Sequence, residues 1–120
     1  MQRFLIHLVF LLFSTLALAL ASSDKLPDKF QGTWRINCSD PDDLFVIQIS
    51  DEQVNFWETV GDILRVEIID SNNVVVELRL LNEGQEWVSN VEFQLNNGKL
   101  IQNPYESADK LIRIKCKGIS

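Results

Sequence analysis

The chain has 120 residues, with 11 Lys and Arg against 17 Asp and Glu, a formal net charge of −6 at pH 7, one His, one Met and two Cys. That length supports one small domain. The acidic balance argues against nucleic acid and anionic membrane surfaces as partners, and favours approach to a basic protein at low salt.

Residues 1–21, MQRFLIHLVFLLFSTLALALA, carry one early cation, a long apolar run, and small residues at Ala19 and Ala21. This is the layout of a secretory signal peptide, with cleavage expected after Ala21. A membrane anchor is the competing reading. A spanning helix takes about 20 apolar residues, however, and this run ends in Ala-x-Ala before the polar Ser22-Ser23-Asp24. The expectation is a periplasmic or secreted protein with no membrane anchor after cleavage, an N-terminal segment over residues 22–30 and a single domain over residues 31–120. Cleavage removes His7 and Met1, the only His and Met. Without histidine the chain lacks Ser-His and Cys-His nucleophilic machinery and histidine-ligated zinc or copper. The sequence suggests no cofactor, no metal and no catalytic residue.

An exported chain meets an oxidising compartment, so Cys38 and Cys116 are expected to form a disulfide. Two free thiols are the competing reading, and no C-x-x-C pair supports it. From Gly32 onward, short apolar alternations are broken by turn residues and no run has helical spacing. Asn97-Gly98 reads as a type I′ hairpin turn that sets Leu95 opposite Leu100. A two-residue loop at Glu83-Gly84 sets Leu80 opposite Trp87, Val76 opposite Val91 and Val74 opposite Phe93. Asp51-Glu52 does the same for Ile49 and Val54. A three-residue loop Thr59-Val60-Gly61, with Gly61 left-handed, sets Phe56 opposite Leu64 and Val54 opposite Val66. The hairpin around residues 70–73 admits two registers, one of which pairs Arg65 with Glu77. All five turns agree on one buried face.

With residues 34–38 as the first strand and 111–116 as the last, the predicted fold is all-β: a small antiparallel up-and-down barrel of about eight strands, closed by one disulfide. Trp34, Ile36, Phe45, Phe56, Trp87 and Phe93 are expected to fill most of the interior. In a simple meander, the ends of the first and last strands lie at opposite rims. A Cys38 to Cys116 bond therefore needs strong shear, a bent first strand or another strand count.

Alternation turns Trp57 outward beside Val46 and Ile63, with Leu44 one step further. Such an apolar patch is a candidate surface for a protein partner, a basic one being favoured by charge. The competing reading is that Leu26 and Phe30 of the N-terminal segment fold over it. The same alternation turns Glu58 inward, opposite Asp62, as a rim pair of carboxylates that solvent or a cation would satisfy. Asp40, Asp42 and Asp43 form an acidic turn that lacks the Gly and terminal Glu of an EF-hand loop. Residues 103–107 carry Tyr105 on a loop suited to recognition or simple connection. Asn37-Cys38-Ser39 fits the glycosylation pattern only in its rare Cys-containing surroundings.

Gly32-x-Trp34 with Cys38, then Phe56-Trp57-Glu58 with Gly61, Glu83-Gly84-x-x-Trp87, and a basic stretch ending in Cys116 resemble a pattern in small exported bacterial β-barrel proteins of unassigned function. Lipocalin-like carriers of lipophilic ligands are similar in outline, sharing Gly-x-Trp on the first strand and an Arg on the last that packs on the Trp. Here Ile112 and Ile114 are expected to face inward, which turns Arg113 out, and the chain is short for that family. Periplasmic inhibitors of c-type lysozyme are also similar in outline as small disulfide-closed barrels, but their Ser-Gly-x-x-Tyr-like segment has no counterpart here. Together these resemblances imply a non-catalytic exported binding protein, with lysozyme inhibition and lipophilic-ligand carriage as alternatives.

Overall fold

The computed structural model describes residues 22–23 and 25–117. The expected leader, residues 1–21, lies outside the described residues. Nine strands form one antiparallel sheet: β1 (Ser22–Ser23), β2 (Gly32–Arg35), β3 (Ile47–Ile49), β4 (Val54–Asn55), β5 (Val60–Asp70), β6 (Asn73–Asn82), β7 (Gln85–Asn96), β8 (Lys99–Gln102) and β9 (Leu111–Lys115). Strands β2 to β9 run up and down, and β9 returns to β2 through Trp34 opposite Lys115 and Arg35 opposite Ile114. Between β4 and β5 the ring is held by the bridges Gln53 to Asp62 and Phe56 to Thr59. The Ile63 N–H also donates to the Glu52 carbonyl there at 2.9 Å. The result is a nearly closed eight-stranded barrel, with β1 covering part of the β5 edge at Val66 and Glu67.

Turn chemistry sets most registers. Asn97 and Gly98 (φ 52 and 76) and Glu83 and Gly84 (φ 50 and 80) supply the positive φ values of two-residue hairpins. They pair Leu95 with Leu100, Leu80 with Trp87, Val76 with Val91 and Val74 with Phe93. Ile49 lies opposite Val54, and Arg65 opposite Glu77. The turn before β5 differs from the sequence reading. It consists of Trp57 and Glu58, with Glu58 at φ 60. Gly61 lies inside β5, where a Cβ would run into the Val54 carbonyl oxygen. Close approach of two backbones, and not a left-handed turn, is what Gly61 provides.

The core is one cluster running from Leu26, Phe30 and Trp34 through Ile47, Val54, Val66, Val76 and Leu78 to Phe93 and Leu100. A 3-10 turn, Asp28–Phe30, plugs one end. Its Phe30 carbonyl accepts the Trp34 indole N–H at 2.9 Å. Of the six residues expected to fill the interior, Trp34 and Phe93 are buried and Phe56 packs partly against the core. Ile36, Phe45 and Trp87 are about half exposed at the opposite end.

The last strand corrects a second expectation. Arg113 pairs with buried Leu100 and is itself 2% exposed, whereas Ile112 and Ile114 face solvent. Arg113 does not take the place of a Trp-stacking arginine: the cation over the Trp34 ring is Lys115 Nζ, 5.4 Å from its centroid.

The disulfide between Cys38 and Cys116, with Cα atoms 5.5 Å apart, forms because the first strand bends. β2 stops at Arg35. Its side chain, alternating outward from buried Trp34, donates to the Asp40 carbonyl at 3.0 Å. The following loop therefore folds back over the outer face of β2. Cys116 lies there opposite Thr33, to whose carbonyl its N–H donates at 2.9 Å.

Candidate functional site

Up-and-down order brings four connections to the end opposite the plug: residues 36–46, the turn Trp57-Glu58, the turn Glu83-Gly84 and residues 103–110. The hairpin of β6 and β7 overhangs this end. β7 has 12 residues and β8 has 4, so β8 pairs only with the stretch from Phe93 to Asn96. Beyond that stretch, apart from the Asn103 N–H donated to the Glu92 carbonyl, β7 is bonded to β6, without a register shift as far as Gln85. Gln85, Glu86, Trp87 and Val88 are consequently exposed on both faces, Trp87 by 42% and Val88 by 59%. Leu81 and Val60, paired with each other, are exposed beside them, and Trp57 stands 49% exposed at the neighbouring turn. Apolar side chains thus crowd one end of an acidic protein.

The carboxylates gather at the same end. Asp40, Asp42 and Asp43 lie on the first connection, Glu58 on the second, Glu83 and Glu86 at the hairpin tip, and Glu106 and Asp109 on the fourth; against them stand Lys110 on the fourth connection and Arg35, Arg79 and Arg113 on the adjoining strands. At the plugged end Lys25, Lys29, Lys99, Lys115 and Lys117 offset Asp28, Asp51, Glu52 and Asp70. Among the described residues Glu58 and Glu83 make no ion pair.

Two polar arrangements hold this end in shape. Asp43, 7% exposed, accepts the N–H groups of Ile36 at 2.9 Å, Asn37 at 3.4 Å and Phe45 at 2.8 Å. Burial opposes its ionisation, but these backbone donors and the nearby Arg35 charge outweigh burial and hold its carboxyl below the ordinary value. Arg113 donates from Nε to the Phe45 carbonyl at 2.6 Å and from Nη1 to Gln102 Oε1 at 2.7 Å. Burial lowers its pKa to about 10, with the Asp43 charge opposing. At the barrel seam, Asp62 accepts from Arg79 Nη2 at 2.9 Å and from Gln53 Nε2 at 3.0 Å. Arg79 also faces Glu86 at 3.4 Å. An open groove of about 470 Å³ beside this seam is lined by Lys25, Glu52, Gln53, Asp62, Ile63, Leu64 and Arg79.

Of the expected apolar patch, Leu44 and Trp57 are exposed and Val46 is half-buried. Ile63 lies opposite buried Leu78 and packs against the core. The two-residue turn is the cause: it slides β5 by five residues against β4 relative to the expected loop, and an odd slide turns Ile63 inward, while the register irregularity between Ile63 and Arg65 keeps Val66 inward as well. The patch is therefore split, and Trp87, Val88, Leu81 and Val60 extend what remains. Leu26 and Phe30 enter the core and leave Trp57 uncovered. The expected pair Glu58 and Asp62 does not form: Glu58 sits exposed in the turn, and Asp62 is committed to Gln53 and Arg79. Among the described residues no three His, Cys, Asp or Glu side chains gather as a metal site, and no helix is long and apolar enough to cross a membrane.

The sequence reading set Asp43 in an acidic surface turn and Arg113 outward, and singled out neither Arg79 nor Val88. An Asp two residues before an N–H it can accept was a local signal for Asp43. The overhang carrying Val88 was legible in principle from the long β6 and β7 alternations beside the short run at residues 99–102. Nothing local marked Arg113, since Ile112 and Ile114 are equally good inward residues. Neither protein-family models, nor curated proteins, nor solved structures match this chain. The fold and this end of it define the molecule as a small up-and-down β-barrel with an apolar, acidic rim.

Proposed function

We propose that this is an exported, non-catalytic binding protein that takes a protein partner at the end formed by the β6–β7 overhang and the Trp57-Glu58 turn. The carrying observation is the exposure of Trp87 and Val88 on opposite faces of one overhanging strand. A monomer gains nothing from leaving both faces of a strand uncovered, and large aromatic side chains of this kind supply much of the energy of protein interfaces. Export is supported by the leader-like residues 1–21 and by the disulfide.

Photo-crosslinking residues introduced at Trp57 and Val88, with Gln48 on β3 as an exposed polar control, test the reading in the protein's own host. Discrete adducts from positions 57 and 88, absent from position 48, are expected. Equal labelling at all three positions, or none, overturns it.

A lipophilic-ligand carrier is a second reading, favoured by one observation: the barrel is plugged at the Phe30 end, while Phe45 and Trp87 are half exposed at the other. Native mass spectrometry of protein purified from its host separates the two, since a carrier retains a ligand mass.

A further inference from the structure

We propose that the free edge of β7 from Gln85 to Asn90 is a strand-addition site for an extended segment of a partner polypeptide in which apolar residues alternate with Lys or Arg. The proposal rests on the reading of this end as a binding surface and names what binds there.

Three observations carry it. The first is the edge itself. β8 stops at Phe93, the only further tie on that side is the Asn103 N–H to the Glu92 carbonyl at 2.9 Å, and no described group bonds the outward N–H and C=O groups from Gln85 to Asn90. An uncovered row of backbone donors and acceptors is a template for another strand. The second is the lack of protection. Natural edges are blunted by Lys, Pro, bulges or brevity. This stretch has no Lys and no Pro, pairs with β6 without a bulge, and exposes Trp87 and Val88.

The third observation selects the occupant. The tip of the overhang and the turn beside it on the β6 side place glutamate at left-handed φ, 50° at Glu83 and 60° at Glu58, where Asn or Gly costs less, and the connection on the free-edge side, residues 103–110, adds Glu106 and Asp109. The turn at the plugged end uses Asn97 at φ 52 for the same purpose. Glu58 and Glu83, kept at strained positions without an ion pair while Arg79 is already taken by Asp62 and Glu86, fit a cationic strand. A second copy of this chain could also pair β7 with β7, but it would bring two acidic ends together. The cationic partner is therefore the favoured occupant.

The test uses the exported, disulfide-bonded protein and three synthetic octapeptides: one alternating Val and Lys, the same peptide N-methylated at every second residue, and one alternating Val and Glu. N-methylation keeps side chains and charge but removes ladder donors. The Val-Lys peptide is expected to slow amide exchange from Gln85 to Asn90. Its affinity should fall about tenfold or more on N-methylation, and by a similar factor in the E58K/E83K double variant. D51K/E52K, which changes net charge equally at the plugged end, should leave binding nearly unchanged.

Equal binding of the N-methylated or the Val-Glu peptide overturns the proposal, as does equal loss in both charge variants or a concentration-dependent dimer that protects β7 without peptide. Crosslinks from positions 57 and 88 together with no peptide protection of β7 would overturn strand addition while leaving the binding end intact. Absence of both would remove the two readings together.

Discussion

The Asp43 carboxylate accepts the backbone N–H of Ile36 at 2.9 Å, at the residue where β2 leaves the sheet. This contact turns the chain back toward Cys116 and so reconciles the disulfide with an up-and-down barrel. Replacing Asp43 by Ala strips three backbone N–H groups of an acceptor and should cost on the order of 1 to 3 kcal/mol. Asp43→Asn, which keeps one oxygen, should recover part of it. Urea unfolding of both variants with the disulfide intact measures this, and a loss below the error of extrapolation would show that the covalent bond alone makes the bend.

Asp43, Asp62 and Asp70 share a direction. Asp43 is lowered although burial acts against it; Asp62 is lowered first by Arg79 and then by Gln53, and Asp70 first by Asn73 and then by Asn72. Their folded values lie below the unfolded ones, so their contribution is present above about pH 5 and lost as the pH falls below about 4. Unfolding midpoints from pH 7 to pH 2 should decline over that acid window, with a smaller decline in the Asp43→Asn variant. A flat profile would contradict the assignment.

Gly61 inside β5 and Glu58 in the preceding turn should respond oppositely to substitution. Gly61→Ala drives a Cβ against the Val54 carbonyl and to 3.2 Å from Leu80 Cδ2, a clash of about 2 to 3 kcal/mol. Glu58→Asn relieves a non-glycine residue at φ 60 and should stabilise by roughly 0.5 kcal/mol. Thermal unfolding of the pair gives both signs in one experiment.

The Cys38–Cys116 bond closes a separation of 78 residues. In the chain-entropy model a loop of that length stabilises by about 4.5 kcal/mol. The C38S/C116S variant is expected to lose about 3 to 4 kcal/mol in urea unfolding, with a somewhat larger m-value because the unfolded chain without the cross-link exposes more surface. A loss under about 1 kcal/mol would mean that the Asp43 clasp and the β2–β9 ladder suffice.

How far the fold was legible depended on where turn chemistry was unambiguous. Asn97-Gly98 and Glu83-Gly84 each specify a two-residue hairpin, so the long-range pairs Leu95 with Leu100 and Leu80 with Trp87 could be read from local residues. Trp57-Glu58 carries no such signal, because glutamate at positive φ is uncommon, and the nearby Gly61 drew the turn toward itself. One misplaced turn moved Ile63 from the surface to the core side and separated Glu58 from Asp62. Arg113 was misread for a different reason: Ile112 and Ile114 satisfy alternation on either face, and only pairing with Leu100 decides which is inside.

By itself the sequence determined the all-β class, the antiparallel meander, the pairing of its two cysteines and the net negative charge, since these rest on periodicity, turn residues and composition. Tertiary structure alone decided that β2 bends, that β7 overruns β8, and that acidic and apolar side chains meet at one end. Those features arise from strand lengths and registers compared across the barrel, and residues that face each other there are distant in the chain. The candidate surface at Trp57, Trp87 and Val88 exists because three separate strands end at different heights, a relation that no single stretch of sequence encodes.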